Sequence, residues 1–223
     1  MADFAALPGP DLLPVAQRFA LAYAPRRSRA AVLALWLLDQ RLATVLRARG
    51  EVLIAQIKLA WWRDRLLEDP ALWPQGEPLL GLLAAGPVPP AAFGPLVDGW
   101  ERLLEPDLSA AAVDAFAAGR AAAWSAVAKA TGADAHAIAT AALAAREVTY
   151  LDLALHLYDE AEARAARQLA LAARWAKPRL PRALRPLAVI HGLSHRALRQ
   201  GQGELLADPG AGLTGLRIGL LGR

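Results

Sequence analysis

Two cations and two tryptophans share one apolar stretch of the sequence, and their spacing suggests binding chemistry. Lys58 and Arg65 are seven residues apart, so a helix places them on the same side. Trp61 and Trp62 lie between them. The cations either line an internal polar cavity or extend along apolar surface until their charges reach solvent. The sequence leaves both alternatives open.

The other ionisable side chains give weaker signals. His191 and His195 are four residues apart, but no Asp or Glu completes a zinc-protease pattern, so we interpret both as surface residues near a helix end. Acidic pairs at helical spacing are interpreted as solvated helix faces; these are Asp64 with Glu68, Asp98 with Glu101, Glu101 with Glu105, and Asp159 with Glu162. The absence of cysteine excludes disulfides, thiolate catalysis and cysteine-ligated metals.

Nearly every segment favours helix, because Ala, Leu and Arg dominate and β-branched runs are missing. The predicted helices are 10–23, 28–49, 52–68, 89–104, 109–131, 133–158, 159–177 and 181–200. Ser28 and Ser109 are expected N-caps. The Gly-rich segment 201–215 is predicted to be a mobile loop, followed by a short turn over 216–221. Neither a repeat nor a linker divides the chain, so we predict one all-α domain spanning residues 1–223.

The predicted helix over 52–68 is apolar around much of its circumference. Two stripes run along it, one formed by Ile54, Ile57 and Trp61 and the other by Leu59, Trp62 and Leu66. We therefore expect this helix to be packed on more than one side. The tryptophans at 36, 61, 62, 100, 124 and 175 all fall within predicted helices, and we interpret most of them as core residues.

The composition of the chain limits where in the cell the protein is expected and which partners it is expected to bind. Hydrophobic residues make up 56% of the chain, yet the longest apolar runs, such as 30–38, are far shorter than the roughly 20 residues of a spanning helix. Residues 1–10 lack a cationic start, so no signal peptide is predicted, and a cytoplasmic location follows. The net charge of +4 suits anionic headgroups or a diphosphate. Because the arginines are spread without interleaved aromatics, we expect no nucleic-acid partner.

The chain resembles the squalene/phytoene synthase family. The resemblance is specific over residues 18–66, through the stretch APRRSR at 24–29, the run ALWLL at 34–38 and the run IKLAWWRDRL at 57–66. The alanine-rich segment 161–175 and the run LPRALRP at 180–186 resemble the family's late helices more loosely. This resemblance implies a single-domain, isoprenoid-synthase-like helical bundle.

The resemblance also implies magnesium chemistry, whose ligands are altered here. Family enzymes hold Mg²⁺ and a diphosphate with carboxylates one helical turn apart on two facing helices. The first acidic motif of the family aligns with Ala43, Thr44 and Arg47, which do not form a magnesium site. Asp39 is the single acid between residues 28 and 49. We therefore assign no catalytic residue and no metal ligand.

The second family motif is expected on the predicted helix 133–158. Glu147 and Asp152 are the acids that remain there, and with Asp39 we interpret them as weak remnants of the two motifs. The candidate contacts to a cavity or a diphosphate are the cationic and aromatic side chains of the resembling region, namely Arg29, Lys58, Arg65, Trp61 and Trp62.

Three functions stay open. Asp39, Arg41 and Ala43 match the branch of the family that resembles the complex I assembly factor group, and this implies a non-catalytic assembly, scaffold or lipid-binding factor near the inner membrane. Its partner would be a protein or a polyprenyl lipid, with peripheral contact to anionic membrane and no cofactor. The second is an active head-to-head prenyltransferase that condenses two prenyl diphosphates with Mg²⁺. The third is a helical partner-binding domain without a ligand cavity. We favour the first.

Overall fold

The computed structural model describes residues 8–47, 51–106 and 108–222. These residues form helices and connecting turns without any strand, which confirms the all-α prediction. The α-helices are α1 (Val15–Leu21), α2 (Arg26–Arg47), α3 (Val52–Leu67), α4 (Pro78–Ala84), α5 (Gly94–Arg102), α6 (Ala110–Ala130), α7 (Ala135–His156), α8 (Glu160–Ala172), α9 (Arg185–Gln200) and α10 (Pro209–Leu221). Short 3₁₀ turns span Pro10–Leu12, Pro70–Leu72, Pro90–Phe93 and Arg182–Leu184.

The two predicted N-caps have different outcomes. Ser109 caps α6, because its Oγ accepts a hydrogen bond from the amide of Ala112 at 3.1 Å. Ser28 instead lies inside α2, fully buried, and its Oγ donates to the carbonyl of Pro25 at 3.3 Å. The prediction for Ser28 is wrong because α2 begins two residues earlier, directly after Pro25. Residues 48–50, at the predicted end of this helix, and residues 1–7, part of the segment tested for a signal peptide, lie outside the described residues.

The predicted loop over 201–215 is too long, because α10 already begins at Pro209. Asp208 starts this helix by accepting a hydrogen bond from the amide of Ala211 at 3.0 Å. Both carboxylate oxygens of Asp208 also accept from the guanidinium of Arg196, at 2.9 Å each. An Asp–Pro pair is a strong helix start, and here it outweighs the glycines that follow.

The helices pack around one large core, and a smaller cluster lies where α7, α8 and α9 meet, formed by Leu151, Ala170, Trp175, Ala197 and Leu198. In this bundle α6 lies centrally and contacts α2, α5 and α7, while α7 also contacts α8 and α9. The last helix, α10, packs on α9. Six of the seven tryptophans are buried, which confirms their interpretation as core residues, whereas Trp61 is 37% exposed. Of the helices in the described ranges, none combines the length and the apolar character needed to cross a bilayer.

Helix α3 is packed on one side only, so the expectation of packing on several sides is wrong. Its stripe of Leu59, Trp62 and Leu66 is buried against the bundle. Its other stripe, which includes Ile54 and Ile57, is exposed. The reason is geometric, because the neighbours of α3, namely α2, α5 and the 3₁₀ turn Pro90–Phe93, cover only one face.

Close contact between α5 and α6 requires glycine, which gives a prediction for Gly119→Ala. A Cβ atom at Gly119 would collide with the carbonyl oxygen of Pro95 and lie 3.3 Å from the Cα of Gly99. We expect this variant to lose about 1–3 kcal/mol of the free energy of unfolding, measured by urea denaturation. Gly94→Ala is the matched control, since a Cβ atom there meets open space. Equal stability of the two variants would contradict the packing described.

Candidate functional site

A cleft of about 360 Å³ lies between α2 and α3, where it brings together three of the five predicted contact residues. Those three are Lys58, Trp61 and Trp62. The remaining lining comes from α2 and the start of α4, through Arg41, Thr44, Val45 and Glu77. The two indole rings meet edge to face with centroids 5.2 Å apart. The cleft therefore combines an aromatic wall with charged side chains.

The two cations that line the cleft, Arg41 and Lys58, differ in whether they form an ion pair. Arg41 is paired with Glu77 at 2.5 Å, which neutralises both groups. Within the described part of the chain, Lys58 forms no ion pair. Its ammonium group is therefore the cation available to an anionic ligand beside the indole of Trp61.

The other two predicted contacts lie outside the cleft lining. Arg29 donates to the carbonyl of Leu21 at 3.0 Å and so satisfies the C-terminal end of α1. Arg65 pairs with Glu68 at 2.5 Å and stacks over the ring of Trp61, with its guanidinium carbon 6.0 Å from the centroid. Both residues therefore have structural contacts of their own.

The three positions of α2 that align with the first acidic motif have different surroundings. Ala43 is buried in the core, whereas Thr44 lines the cleft and donates its hydroxyl to the carbonyl of Arg41 at 2.6 Å. Arg47 is exposed at the end of the helix. Because Asp39, Ala43 and Arg47 are spaced by four, they share the face of α2 that is directed at α6 and α7.

Two of the three remnant acids converge on one guanidinium. Arg120 of α6 binds Asp39 of α2, with Nη2 to Oδ2 at 2.8 Å and Nε to Oδ1 at 3.2 Å. Its Nη1 binds Oδ2 of Asp152 of α7 at 2.5 Å. The side chains of Arg120 and Asp39 are 13% and 8% exposed, so this pair is largely removed from water. The guanidinium of Arg120 thus lies between acids of α2 and α7. In the family that the chain resembles, carboxylates on the two corresponding helices would hold Mg²⁺.

Aromatic groups complete the surroundings of Arg120. The indole of Trp100 donates to Oδ1 of Asp39 at 2.8 Å, and the guanidinium carbon lies 4.6 Å from the ring centroid of Phe116. At the outer edge, Nδ1 of His156 approaches Oδ1 of Asp152 at 3.1 Å. With His156 protonated, two positive charges balance the two carboxylates. We call Asp39, Arg120, Asp152 and His156 the Arg120 cluster.

The pKa values in the Arg120 cluster follow its geometry. Burial raises the pKa of Asp39, although Arg120 and the Trp100 indole oppose that shift. Burial would also raise the pKa of Asp152, but the charge of Arg120 and the hydrogen bond from His156 outweigh it and hold this pKa well below its usual range. The hydrogen bond to Asp152 raises the pKa of His156.

The third remnant acid, Glu147, belongs to a different cluster. Its Oε2 lies 2.6 Å from Nε2 of His191, and its Oε1 accepts the backbone amide of Trp175 at 2.7 Å. Trp175 follows the end of α8 rather than lying in a helix, with a φ of 47°, and its ring stacks on His195. His191 is buried at the contact of α9 with α7, so its interpretation as a surface residue is wrong.

Sequence reasoning missed Arg120, although a signal for it exists. It is the only charged residue among 115–128 of α6, a stretch otherwise rich in Ala and apolar residues. An arginine on a helix that is apolar on all sides is buried, and a buried guanidinium requires carboxylate partners. Across the described ranges, no group of three or more Asp, Glu or His side chains is placed to hold a metal ion.

Arg120→Met tests the Arg120 cluster through stability. The substitution leaves buried Asp39 without its counter-charge, and we expect a loss of about 3–5 kcal/mol in the free energy of unfolding. The double variant Arg120→Met with Asp39→Leu removes both charges and should regain most of that loss. Urea denaturation of both proteins measures the effect. A single variant as stable as the wild type would show that the ion pair does not form.

Histidine NMR titration tests the outer edge of the Arg120 cluster. His156 should titrate above the ordinary value of about 6.5, whereas burial and the neighbouring His191 place the pKa of His195 below its ordinary value. A raised pKa stabilises the fold below about pH 6.5, and that contribution disappears as pH rises through the folded value. The stability difference between wild type and His156→Gln should therefore shrink over that window. Asp152→Asn should return His156 to its ordinary pKa, and an unshifted His156 in the wild type would contradict the contact.

Comparisons with protein-family models, with curated proteins and with solved structures gave no match to this chain. The cleft and the Arg120 cluster are therefore the features of this chain that bear on its function.

Proposed function

We propose that this protein is a non-catalytic helical bundle of the isoprenoid-synthase type that binds an apolar, anionic lipid and acts as an assembly or scaffold factor at a membrane. The observation that carries the proposal is the position of Arg120 between Asp39 and Asp152. The resemblance over residues 18–66 supplies the comparison with diphosphate enzymes.

Arg120 changes what these acids can do. Ionisation of an allylic diphosphate requires carboxylates that hold Mg²⁺ against the leaving group. In this bundle both oxygens of Asp39 accept hydrogen bonds, from Arg120 and Trp100, and Asp152 is bound to Arg120 and His156. A metal at this place would have to displace a buried guanidinium and would meet its positive charge.

The cleft supports the lipid-binding part of the proposal. Trp61, Trp62 and Val45 offer apolar surface, and the ammonium of Lys58 lies at the same cleft. A prenyl chain that ends in a phosphate presents the complementary pair of surfaces. A volume of about 360 Å³ is at the lower end of small-molecule sites, so the cleft would hold the phosphate and the first isoprene units.

Two measurements on the purified protein test the proposed function. With farnesyl diphosphate and Mg²⁺, we expect no release of pyrophosphate above a protein-free control. Farnesyl monophosphate should bind and quench tryptophan fluorescence, and Lys58→Gln should weaken its binding roughly fivefold by removing the cationic contact. Arg199→Gln, which removes an exposed cation from α9, is the matched control. Magnesium-dependent turnover would overturn the non-catalytic part, and equal affinity of the two variants would overturn the lipid-binding part.

A further inference from the structure

The connection between α8 and α9 is held on the bundle largely by one tryptophan. Residues 174–180 follow α8 and precede the 3₁₀ turn Arg182–Leu184, and we call them the Trp175 segment. In the described part of the chain, this segment forms no hydrogen bond between its backbone and another backbone group. Its buried side chains are Trp175 and Leu180. The contacts of Trp175 are therefore the main attachment of the segment.

Three of the four contacts that fix Trp175 involve ionisable side chains. Its backbone amide donates to Oε1 of Glu147 at 2.7 Å, and its indole Nε1 donates to the carbonyl of Ala170 at 2.6 Å. Its ring stacks on the imidazole of His195, with centroids 5.4 Å apart and planes 11° apart, and lies 5.1 Å from the ring of His191. The φ of 47° is unfavourable for a residue with a Cβ atom, so these contacts must offset strain.

One carboxylate serves two histidines at this place. Oε2 of Glu147 lies 2.6 Å from Nε2 of His191, so a proton on His191 is balanced by that carboxylate. The charged groups that face His195 are His191 and Arg199 on α9, Glu147 on α7 and Lys177 on the Trp175 segment. A proton on His195 would therefore add a positive charge beside three cationic groups, while the single carboxylate is already bound to His191.

Closure of the segment and protonation of His195 oppose each other. A protonated His195 would gain a cation–π contact with the indole of Trp175, but burial and the neighbouring cations outweigh it and lower the pKa of His195. If the segment opens, Lys177 moves away and the imidazole reaches water, where its pKa is about 6.5. The open state then binds the proton more tightly than the closed state. Closure is thus most stable above about pH 6.5 and weakens as pH falls towards the lowered pKa.

From this arrangement we infer that the Trp175 segment is an acid-sensitive strap, which leaves α7 and α9 when His195 takes up a proton. Its opening uncovers the smaller core cluster, because the ring of Trp175 is part of that cluster and packs there with Leu151 and Leu198. The inference is independent of the proposed function, since no residue of the segment lines the cleft between α2 and α3 or belongs to the Arg120 cluster.

Fluorine NMR of the protein labelled with 5-fluorotryptophan tests the strap, and Trp175→Phe assigns the signal. As pH falls below about 6.5, the equilibrium constant for opening should rise by up to about tenfold per pH unit, because one proton is linked to opening. The signals of the other tryptophans should stay in place. His195→Phe keeps an aromatic ring that cannot be protonated, so it should abolish the pH dependence. His136→Phe, at an exposed position near the start of α7, is the matched control and should leave it unchanged.

Glu147→Gln tests the anchor of the segment separately. It keeps an oxygen that can accept the amide of Trp175 but removes the charge, and we expect the opening constant at neutral pH to rise roughly fivefold. Glu204→Gln, at an exposed acid, is its control.

Three results would overturn the inference. The first is a Trp175 signal that does not change from about pH 8 to about pH 5. The second is a pH dependence that persists in His195→Phe, or in His195→Gln if the first variant does not fold. The third is a change of all tryptophan signals together, which would indicate global unfolding instead of local opening.

Discussion

The burial of one guanidinium is the constraint on which the centre of this bundle depends. Arg120 enters a region filled by alanine and aromatic side chains, where an unpaired charge would cost several kcal/mol. Its partners come from two other helices, Asp39 of α2 and Asp152 of α7. The three helices must therefore hold a fixed register, because a shift of one turn would move a carboxylate by about 5 Å and leave the guanidinium exposed to apolar surroundings.

This ion cluster also decides where binding chemistry can take place. The acids that face one another across the bundle are both bound to Arg120, whose positive charge opposes a metal ion at either carboxylate. The available cation, Lys58, lies instead in the cleft between α2 and α3. We therefore expect an anionic ligand to bind at the surface of the bundle, beside Lys58, and not in its interior.

Sequence reasoning predicted local features well and long-range partners poorly. The bounds of α3 and α6 and the Ser109 cap depend on nearby residues, and each was predicted to within one or two positions. Grouping Lys58 with Trp61 and Trp62 also held, since one helix carries all three. The partner of Arg29 could not be predicted from helical spacing, because it depends on which carbonyl the fold brings near, whereas Arg65 pairs with Glu68 at the i, i+3 spacing that the sequence already shows.

The largest error, the packing of α3, has a physical cause. A residue pattern shows which faces of a helix are apolar, but it cannot show how many neighbours are available to cover them. Neighbouring elements cover one face of α3. The apolar side chains of the other face must therefore either contact something outside the chain or remain exposed to water. Trp61 joins this uncovered face to the cleft, because its partly exposed ring also lines the cleft. Under the proposed function, a lipid in the cleft would contact Trp61 and Lys58 and would cover the part of this face that borders the cleft.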